Sequence, residues 1–203
     1  MRRLTVTNSV SLDGVMQAPG RPDEDTRGGF GLGGWAAPYA DEVMMRVMGE
    51  GMSRDGALLF GRRTYEDFFS YWPHRTDNPF TDVLNKRQKY VASTTLAEPL
   101  PWQNSTLLSG DAADAVAALK RTDGPDLAML GSGRLLQSLR RRGLIDEYVV
   151  LIHPLVLGSG TRLFPDGPGD DLRLVESVPT TTGVIIARYH PVPGVDRGTE
   201  HVA

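Results

Sequence analysis

The chain has 203 residues, enough for one domain with a single substantial core. Its 22 Lys and Arg residues against 25 Asp and Glu residues give a formal charge of −3, so the composition excludes an overall basic surface for nucleic acid. The absence of cysteine excludes disulfides, thiolate metal sites and cysteine nucleophiles.

The N-terminal residues run directly into strand-like alternation, without the apolar segment of a signal peptide. No apolar run approaches the ~20 residues of a membrane span. We therefore expect a cytoplasmic protein that binds neither membrane nor nucleic acid. His74, His190 and His201 lack the spacing of metal ligands, and His153 lies in an apolar strand typical of the core, so we also expect no metal.

The first 50 residues predict a strand, a long loop and a helix. β-Branched residues indicate a strand over residues 4–10. Residues 18–34 are rich in Gly and Pro, and a loop of that length is typical of a functional lid or a disordered insert; we interpret it as lid-like. Its stretch 29–34 matches G-x-G-x-x-G, but no strand precedes it, so it is not interpreted as a dinucleotide fingerprint. Pro38 then predicts a helix start.

A strand-to-helix turn carrying two arginines follows the apolar strand 57–60. The chain passes through Gly61 into a helix predicted from Thr64, with Arg62 and Arg63 in the turn. A helix start presents unpaired N–H groups and the positive end of the helix dipole, so it suits an anion. Arginine adds planar donors that match phosphate.

A second turn of this kind, Gly131 to Arg134, follows the predicted strand 127–130. It opens a helical run to Arg142, which ends at Gly143 in the usual C-cap place. Two such turns suggest a ligand with phosphates at more than one point. A dinucleotide fits that description.

The remaining pattern places βα units first and a hairpin last. It consists of strands 89–92 and 105–108, a helix 112–120 capped by Asp111, a continuously apolar strand 148–152 and a hairpin of runs 172–178 and 183–189. This order predicts an α/β fold with a mixed, mostly parallel sheet and helices on both faces. We expect one domain over residues 1–192 and a polar tail over 193–203.

Four motifs occur in an order that indicates a family. They are Asn8-Ser9-Val10-Ser11-Leu12-Asp13-Gly14, Gly61-Arg62-Arg63-Thr64-Tyr65-Glu66, Gly131-Ser132-Gly133 and Leu155-Val156-Leu157-Gly158-Ser159-Gly160. Together they resemble the dihydrofolate reductase superfamily, and most closely the reductase domain of the bifunctional riboflavin-biosynthesis deaminase-reductase. The cysteines of the deaminase segment are absent, so the resemblance implies the reductase domain standing alone, with a dihydrofolate-reductase-like three-layer α/β/α fold.

The resemblance implies NADPH as cofactor. It places the Gly-Arg-x-Thr turn at the adenosine-side phosphates, Ser93 near the 2′-phosphate, and the second glycine turn at the pyrophosphate and nicotinamide ribose. The residues implied to hold the cofactor are Gly61, Arg62, Arg63, Thr64, Ser93, Gly131, Ser132, Gly133, Arg134 and Leu135.

The resemblance also implies hydride transfer to a small heterocycle, as in 5-amino-6-(5-phosphoribosylamino)uracil reductase, and a homodimer. Asn8 and Asp13 would lie beside the hydride-accepting carbon, and Trp35, Tyr39 and Asp41 would border the substrate. Asp13 and Asp41 are the catalytic candidates.

Several alternatives stay open at this point. Counting from Trp35, Ala40 occupies the place of the folate-reductase acid, and Asp41 is one residue late, a rotation of about 100° on a helix. Asp13 could instead cap a turn, and Asp41 could be a charge favoured at a helix start. Dihydrofolate reductase proper and a non-catalytic nucleotide-binding protein of the same fold are the alternative functions.

Overall fold

A computed structural model describes residues 1–53, 56–76, 78, 80–167 and 169–193. The chain forms two compact units: Met1–Thr7 with Glu42–Ile145, and Asn8–Asp41 with the chain from Asp146 onward. The single domain expected over residues 1–192 stays a prediction. Apart from its first residue, the expected polar tail lies outside the described residues.

Eight strands form one mixed sheet. They are β1 (Leu4–Ser11), β2 (Ala57–Gly61), β3 (Lys89–Ala92), β4 (Ser105–Leu108), β5 (Leu127–Leu130), β6 (Glu147–His153), β7 (Leu172–Pro179) and β8 (Ile185–Pro191). Their order is β4-β3-β2-β5-β1-β6-β8-β7. The predicted mostly parallel sheet with a C-terminal antiparallel hairpin is therefore confirmed.

The α-helices are α1 (Glu42–Ser53), α2 (Arg62–Tyr71), α3 (Phe80–Lys86), α4 (Ala112–Lys120) and α5 (Gly133–Arg140). The prediction of α4 is confirmed, since the Asp111 carboxylate accepts the N–H groups of Ala113 and Asp114 at 3.0 and 2.9 Å. None of the helices in the described ranges is long and apolar enough to cross a membrane.

Two predicted helix starts need correction, and one helix was not predicted. The helix after β2 begins at Arg62 rather than Thr64, and the helix expected from Pro38 begins at Glu42, because Pro38 lies in a separate 3-10 helix, Ala37–Tyr39. The sequence did not predict α3. Its seven residues bury only Thr81 and Leu84 among those described, too few for a helical period to stand out.

The first unit is built on parallel pairing around β2. Leu58 pairs with Lys89 of β3 on one side and with Ala128 of β5 on the other, and β5 pairs in turn with β1. Parallel strands bring their carboxyl ends to one edge of the sheet, so the turns after β2, β3 and β5 lie at that edge. After β2 the chain continues to β3, on one side in the strand order, and after β5 it continues to β6, on the other side. Such a switch point is where open α/β sheets commonly bind ligands.

The core of the first unit covers both faces of β2. Leu58, Leu59 and Phe60 have no exposed surface, and Phe60 packs with Tyr65 of α2 and with Trp102. By the right-handed crossover rule, the connections that run in opposite directions along the strand order put α2 and α3 on one face of the sheet and α4 on the other. The helix α5 contacts α4. This is the predicted arrangement of a sheet between two helix layers.

The second unit contains the antiparallel part of the sheet. β6 pairs with β8 and β8 with β7, with a register shift between Leu174 and Glu176. β6 is the most apolar strand in the sequence, and its central residues are buried as predicted. β7, at the end of the strand order, is exposed over most of its length.

Gln17 organises the glycine-rich segment of the second unit. Its buried amide donates to the carbonyls of Asp25 and Arg27 at 3.1 and 2.9 Å. It accepts the backbone N–H and the hydroxyl of Thr161 at 2.9 and 3.1 Å. The Gln17 carbonyl also accepts the Trp35 indole N–H at 2.7 Å. The segment 18–34 is thus tied to the unit at several points, and its role as a lid stays a prediction.

A small apolar cluster closes the base of the same segment. Phe30 is buried with Val15, Ala18 and Trp35. A Cβ on Gly160 would come within 2.7 Å of a Val15 methyl and 2.8 Å of the Phe30 ring, closer than packed atoms tolerate. The last glycine of the fourth motif is therefore required by packing.

A completely buried lysine stabilises the connection between α3 and β4. The Lys89 ammonium donates to the carbonyls of Asn85, Arg87 and Gln103 at 3.2, 2.8 and 3.0 Å, and lies 4.6 Å from the centre of the Trp102 ring. Burial lowers the pKa of Lys89 to about 8, which leaves it charged at neutral pH. The three carbonyls and the ring share this one cation.

We expect Lys89→Met to lower the free energy of unfolding by about 2–4 kcal/mol, because three buried carbonyls lose a charged donor. The removed desolvation cost of the ammonium offsets only part of this loss. Urea unfolding near neutral pH measures this change. The control is Lys86→Met, at an exposed position of α3, which should stay within about 0.5 kcal/mol of wild type. Equal stability of the two variants would contradict the proposed role of Lys89.

Candidate functional site

The turn after β2 ends in a helix start without a side-chain cap. Gly61 is the N-cap residue of α2, with φ −78° and ψ 156°. Arg62 and Arg63 form the first helical positions, and the Arg62 guanidinium lies 3.2 Å from Glu66 one turn later. Both side chains of this pair are over 40% exposed, so the contact is weak and Arg62 can turn toward an anion.

The turn after β5 has a strained backbone. Gly131 and Ser132 have φ values of 62° and 57°, and Ser132 is the N-cap residue of α5 in the left-handed region. A non-glycine residue in that region is uncommon and is held there by its surroundings. The Ser132 side chain is buried and makes no capping bond to α5.

Two hydrogen bonds join these turns. The Gly61 N–H donates to the Ser132 hydroxyl at 3.0 Å, and the Ser132 N–H donates to the Thr64 hydroxyl at 3.1 Å. Glycine at position 131 is favoured by its positive φ, because a Cβ there would make only an ordinary contact with the Thr64 methyl, at 3.4 Å. The two predicted turns are therefore brought together, with Ser132 and Thr64 linking them.

The other predicted cofactor residues occupy different positions at this edge. The Ser93 hydroxyl, just after β3, accepts the N–H groups of Thr95 and Leu96 at 3.1 and 3.0 Å and so holds a turn of its own. Arg134 is exposed, whereas the Leu135 side chain is buried in the core. Leu135 can offer a ligand only its backbone.

The starts of α2 and α5 contrast with that of α4. The α4 start is capped by the Asp111 carboxylate, whereas neither Gly61 nor Ser132 provides a side-chain cap. First-turn N–H groups with the helix dipole behind them can hold phosphate oxygens. We call residues 61–64, 93–96 and 131–135 the carboxyl-terminal edge.

In the second unit, the Asp13 carboxylate is an acceptor that holds two segments together. It accepts the Ser11 hydroxyl at 2.6 Å, the Leu157 N–H at 3.1 Å and the Gly158 N–H at 2.8 Å. These hydrogen bonds, that of Ser11 most strongly, lower the pKa of Asp13 to about 2 from its usual 3.8. Asp13 is therefore ionised at neutral pH, and the first and fourth motifs meet through its carboxylate.

Asp41 makes a similar contact with the hairpin between β7 and β8. Its carboxylate accepts the N–H and hydroxyl of Thr181, both at 2.6 Å, and the N–H of Thr182 at 3.2 Å. Asp41 is the residue before α1, but these three hydrogen bonds go to the hairpin and not to the helix. Its catalytic role stays a prediction.

The predicted substrate residues differ in exposure. Asn8 and Trp35 are only 6% and 7% exposed, whereas Tyr39 is half-buried. Trp35 is fixed by its bond to the Gln17 carbonyl. Of these three residues, Tyr39 offers the most side-chain surface to a ligand.

His153 lies beside two of the predicted substrate residues. Its ring lies edge-on to Trp35 and Tyr39, with centroid distances of 5.2 and 5.6 Å, and its Nδ1–H donates to the Leu151 carbonyl at 3.0 Å. Burial lowers the pKa of His153, so it is neutral at neutral pH, although hydrogen bonds to Leu151 and Val10 oppose the shift. The sequence suggested a core histidine here and gave no signal for its two aromatic neighbours.

The comparison with known families matches the RibD C-terminal domain over residues 2–186. The chain belongs to this family. It is 27% identical over 198 residues to the uncharacterized protein YyaP of Bacillus subtilis (strain 168), a match that covers 93% of this chain and 95% of that protein.

Solved structures share the fold of this RibD C-terminal domain protein. One, from Shewanella sp. PV-4, is a protein with a proposed role in riboflavin biosynthesis; it has a TM-score of 0.66 at 22% identity, covering 94% of this chain and 99% of its own. Another, from Corynebacterium diphtheriae, is a pyrimidine reductase-like protein with a TM-score of 0.63 at 13% identity, covering 95% and 93%. The fold implied by the four motifs is confirmed.

We expect Asp13→Asn to have a lower melting temperature than wild type at about pH 7. The difference between the two proteins should disappear as the pH falls to about 2. The folded-state pKa lies below the ordinary 3.8, so ionised Asp13 stabilises the fold above that value and ceases to do so as pH falls through about 2. Thermal unfolding followed by circular dichroism across this range measures the difference.

Asp166→Asn, at an exposed loop position, is the matched control and should follow wild type throughout. A constant difference between Asp13→Asn and wild type from neutral to acid pH would show that the charge of Asp13 does not stabilise the fold.

Proposed function

We propose that this RibD C-terminal domain protein is an NADPH-dependent reductase that transfers a hydride to a small pyrimidine- or pterin-like heterocycle. The observation that carries the proposal is the pair of uncapped helix starts held together at the switch point of a parallel sheet. Family membership supports the reductase class. The cytoplasmic location stays a prediction.

The residues of the carboxyl-terminal edge fit the phosphates of NADPH. Gly131 has a positive φ that favours glycine, and it lies at the turn beside Thr64. Arg62 and Arg63 add positive charge at the start of α2, and Ser93 and Arg134 lie at two further turns of the same edge. Planar guanidinium donors favour the 2′-phosphate that distinguishes NADPH from NADH.

Bound NADPH would supply the hydride, and the protein would bind and orient the two reactants. Asp13 remains ionised at neutral pH, so it acts as a fixed negative acceptor rather than as a proton donor. In the second unit, Tyr39 offers a half-buried ring suited to a flat heterocycle.

Two observations favour a pyrimidine substrate over dihydrofolate. The Asp41 carboxylate, the nearest counterpart of the folate-reductase acid, is already bound to Thr181 and Thr182. A structural neighbour is a pyrimidine reductase-like protein, and another has a proposed role in riboflavin biosynthesis. We therefore propose a ribosylaminopyrimidine, such as 5-amino-6-(5-phosphoribosylamino)uracil, as the substrate.

We further propose that the protein is a homodimer that pairs through β7. This strand ends the sheet, runs for eight residues and exposes Leu174 and Val175 by 51% and 44%. An eight-residue edge strand with exposed apolar side chains is a template for pairing with another chain.

We expect Leu174→Glu combined with Val175→Lys to give a monomer in analytical ultracentrifugation, where wild type sediments as a dimer. Charges on the edge strand would have to be desolvated on pairing. Val156→Glu, at a loop residue that is 69% exposed, is the control and should remain dimeric. A monomeric wild type would refute the homodimer.

We expect Arg62→Ala and Arg63→Ala each to weaken NADPH binding by roughly tenfold to a hundredfold while hardly changing NADH binding. Each removes one charge-assisted contact worth about 1.5–3 kcal/mol. Titration followed by quenching of Trp35, Trp72 and Trp102 fluorescence measures both affinities.

Arg141→Ala, an exposed arginine just after the C-terminal end of α5, is the matched control for lost charge and should bind NADPH as wild type does. If wild type bound neither nucleotide, the glycine turns would have only a structural role and the reductase proposal would fail.

A further inference from the structure

His153 is the last residue of β6, and only 1% of its surface is exposed. A buried imidazole has to satisfy its polar nitrogen atoms, and the Nδ1–H does so by donating to the Leu151 carbonyl two residues earlier on the same strand. This bond fixes the ring relative to the strand. His153 is thus a rigid part of the second unit's sheet rather than a mobile side chain.

The fixed imidazole supports two aromatic side chains from one segment. Its plane is nearly perpendicular to the rings of Trp35 and Tyr39, with interplanar angles of 87° and 81°. Edge-to-face contacts of this kind prefer a defined ring orientation. The imidazole therefore restricts how the Tyr39 ring can turn.

The backbone of the same segment is held by other contacts. The Tyr39 carbonyl accepts the Thr182 hydroxyl at 2.6 Å, and the Asp41 carboxylate binds Thr181 and Thr182. The Trp35 indole is separately fixed by Gln17. These bonds position the main chain and Trp35, whereas the ring of Tyr39 has an edge-to-face contact with His153.

We propose that His153 is a positioning residue that fixes the Tyr39 ring for binding a planar heterocyclic substrate. This inference rests on the proposed function. It assigns His153 no proton transfer. Removal of its ring should weaken substrate binding, because a pre-oriented aromatic surface is replaced by one that must be ordered on binding.

The test compares His153→Leu, which removes the ring, with His153→Phe, which restores an aromatic ring in its place. Val150→Ala removes core volume from the same strand at another buried residue and is the control for lost stability. Near-ultraviolet circular dichroism reports the ordering of Trp and Tyr side chains. Steady-state kinetics with 5-amino-6-(5-phosphoribosylamino)uracil and NADPH report KM and kcat, and fluorescence titration reports NADPH affinity.

We expect His153→Leu to reduce the near-ultraviolet signal and to raise KM for the pyrimidine roughly tenfold, with kcat changed less than about threefold and NADPH affinity unchanged. His153→Phe should recover most of both losses. If Leu and Phe variants behave alike, or if Val150→Ala raises KM equally, the positioning role is overturned.

The circular dichroism result separates this inference from the proposed function. If wild type binds NADPH but does not reduce the pyrimidine, the proposed substrate is wrong, and the His153 inference falls with it as a statement about that substrate. The ring-orienting contact is then judged alone: an unchanged near-ultraviolet signal in His153→Leu overturns it. His153→Gln, which keeps a donor without a ring, replaces the Leu variant if the latter does not fold.

Discussion

The hydrogen bonds from Gly61 to the Ser132 hydroxyl and from Ser132 to the Thr64 hydroxyl determine the geometry of the candidate cofactor site. They join two turns that are about 70 residues apart in the chain and hold Ser132 in a left-handed conformation that a serine rarely adopts. The Ser132 and Thr64 side chains each bind the other's turn and do not cap a helix. The groups that α2 and α5 can present to a ligand at their starts are therefore backbone N–H groups and arginines. The proposed phosphate binding at this edge would use those backbone groups and arginines.

In the second unit, buried polar side chains hold the long segment that precedes α1. The nitrogen and the oxygen of the Gln17 side-chain amide each make two hydrogen bonds, to residues 25 and 27 and to Thr161. The Gln17 backbone carbonyl binds Trp35. A buried amide with every donor and acceptor paired favours one conformation strongly, since any alternative leaves polar groups unsatisfied. A segment with many glycines can thus be well defined without a strand or an α-helix.

The two carboxylates with a predicted catalytic role both bind backbone N–H groups. Asp13 links the first and fourth motifs, and Asp41 links the segment after Tyr39 to the hairpin turn. Ionised carboxylates make strong hydrogen bonds to backbone donors, which favours their negative form. In the proposed reductase, these carboxylates would therefore supply fixed negative charge, and the hydride would come from the cofactor.

The sequence by itself determined most elements, because apolar runs, the Asp111 cap and the glycine after α5 act within a few residues. It also predicted the two glycine turns and, through four ordered motifs, the fold. Only the tertiary structure decided that Ser132 and Thr64 link those turns and that Asp13 binds Leu157 and Gly158, more than 140 positions later in the chain. The same holds for the contacts by which Gln17 and His153 hold Trp35. These contacts join side chains from distant segments, and no local propensity or period specifies which partner a buried polar group finds.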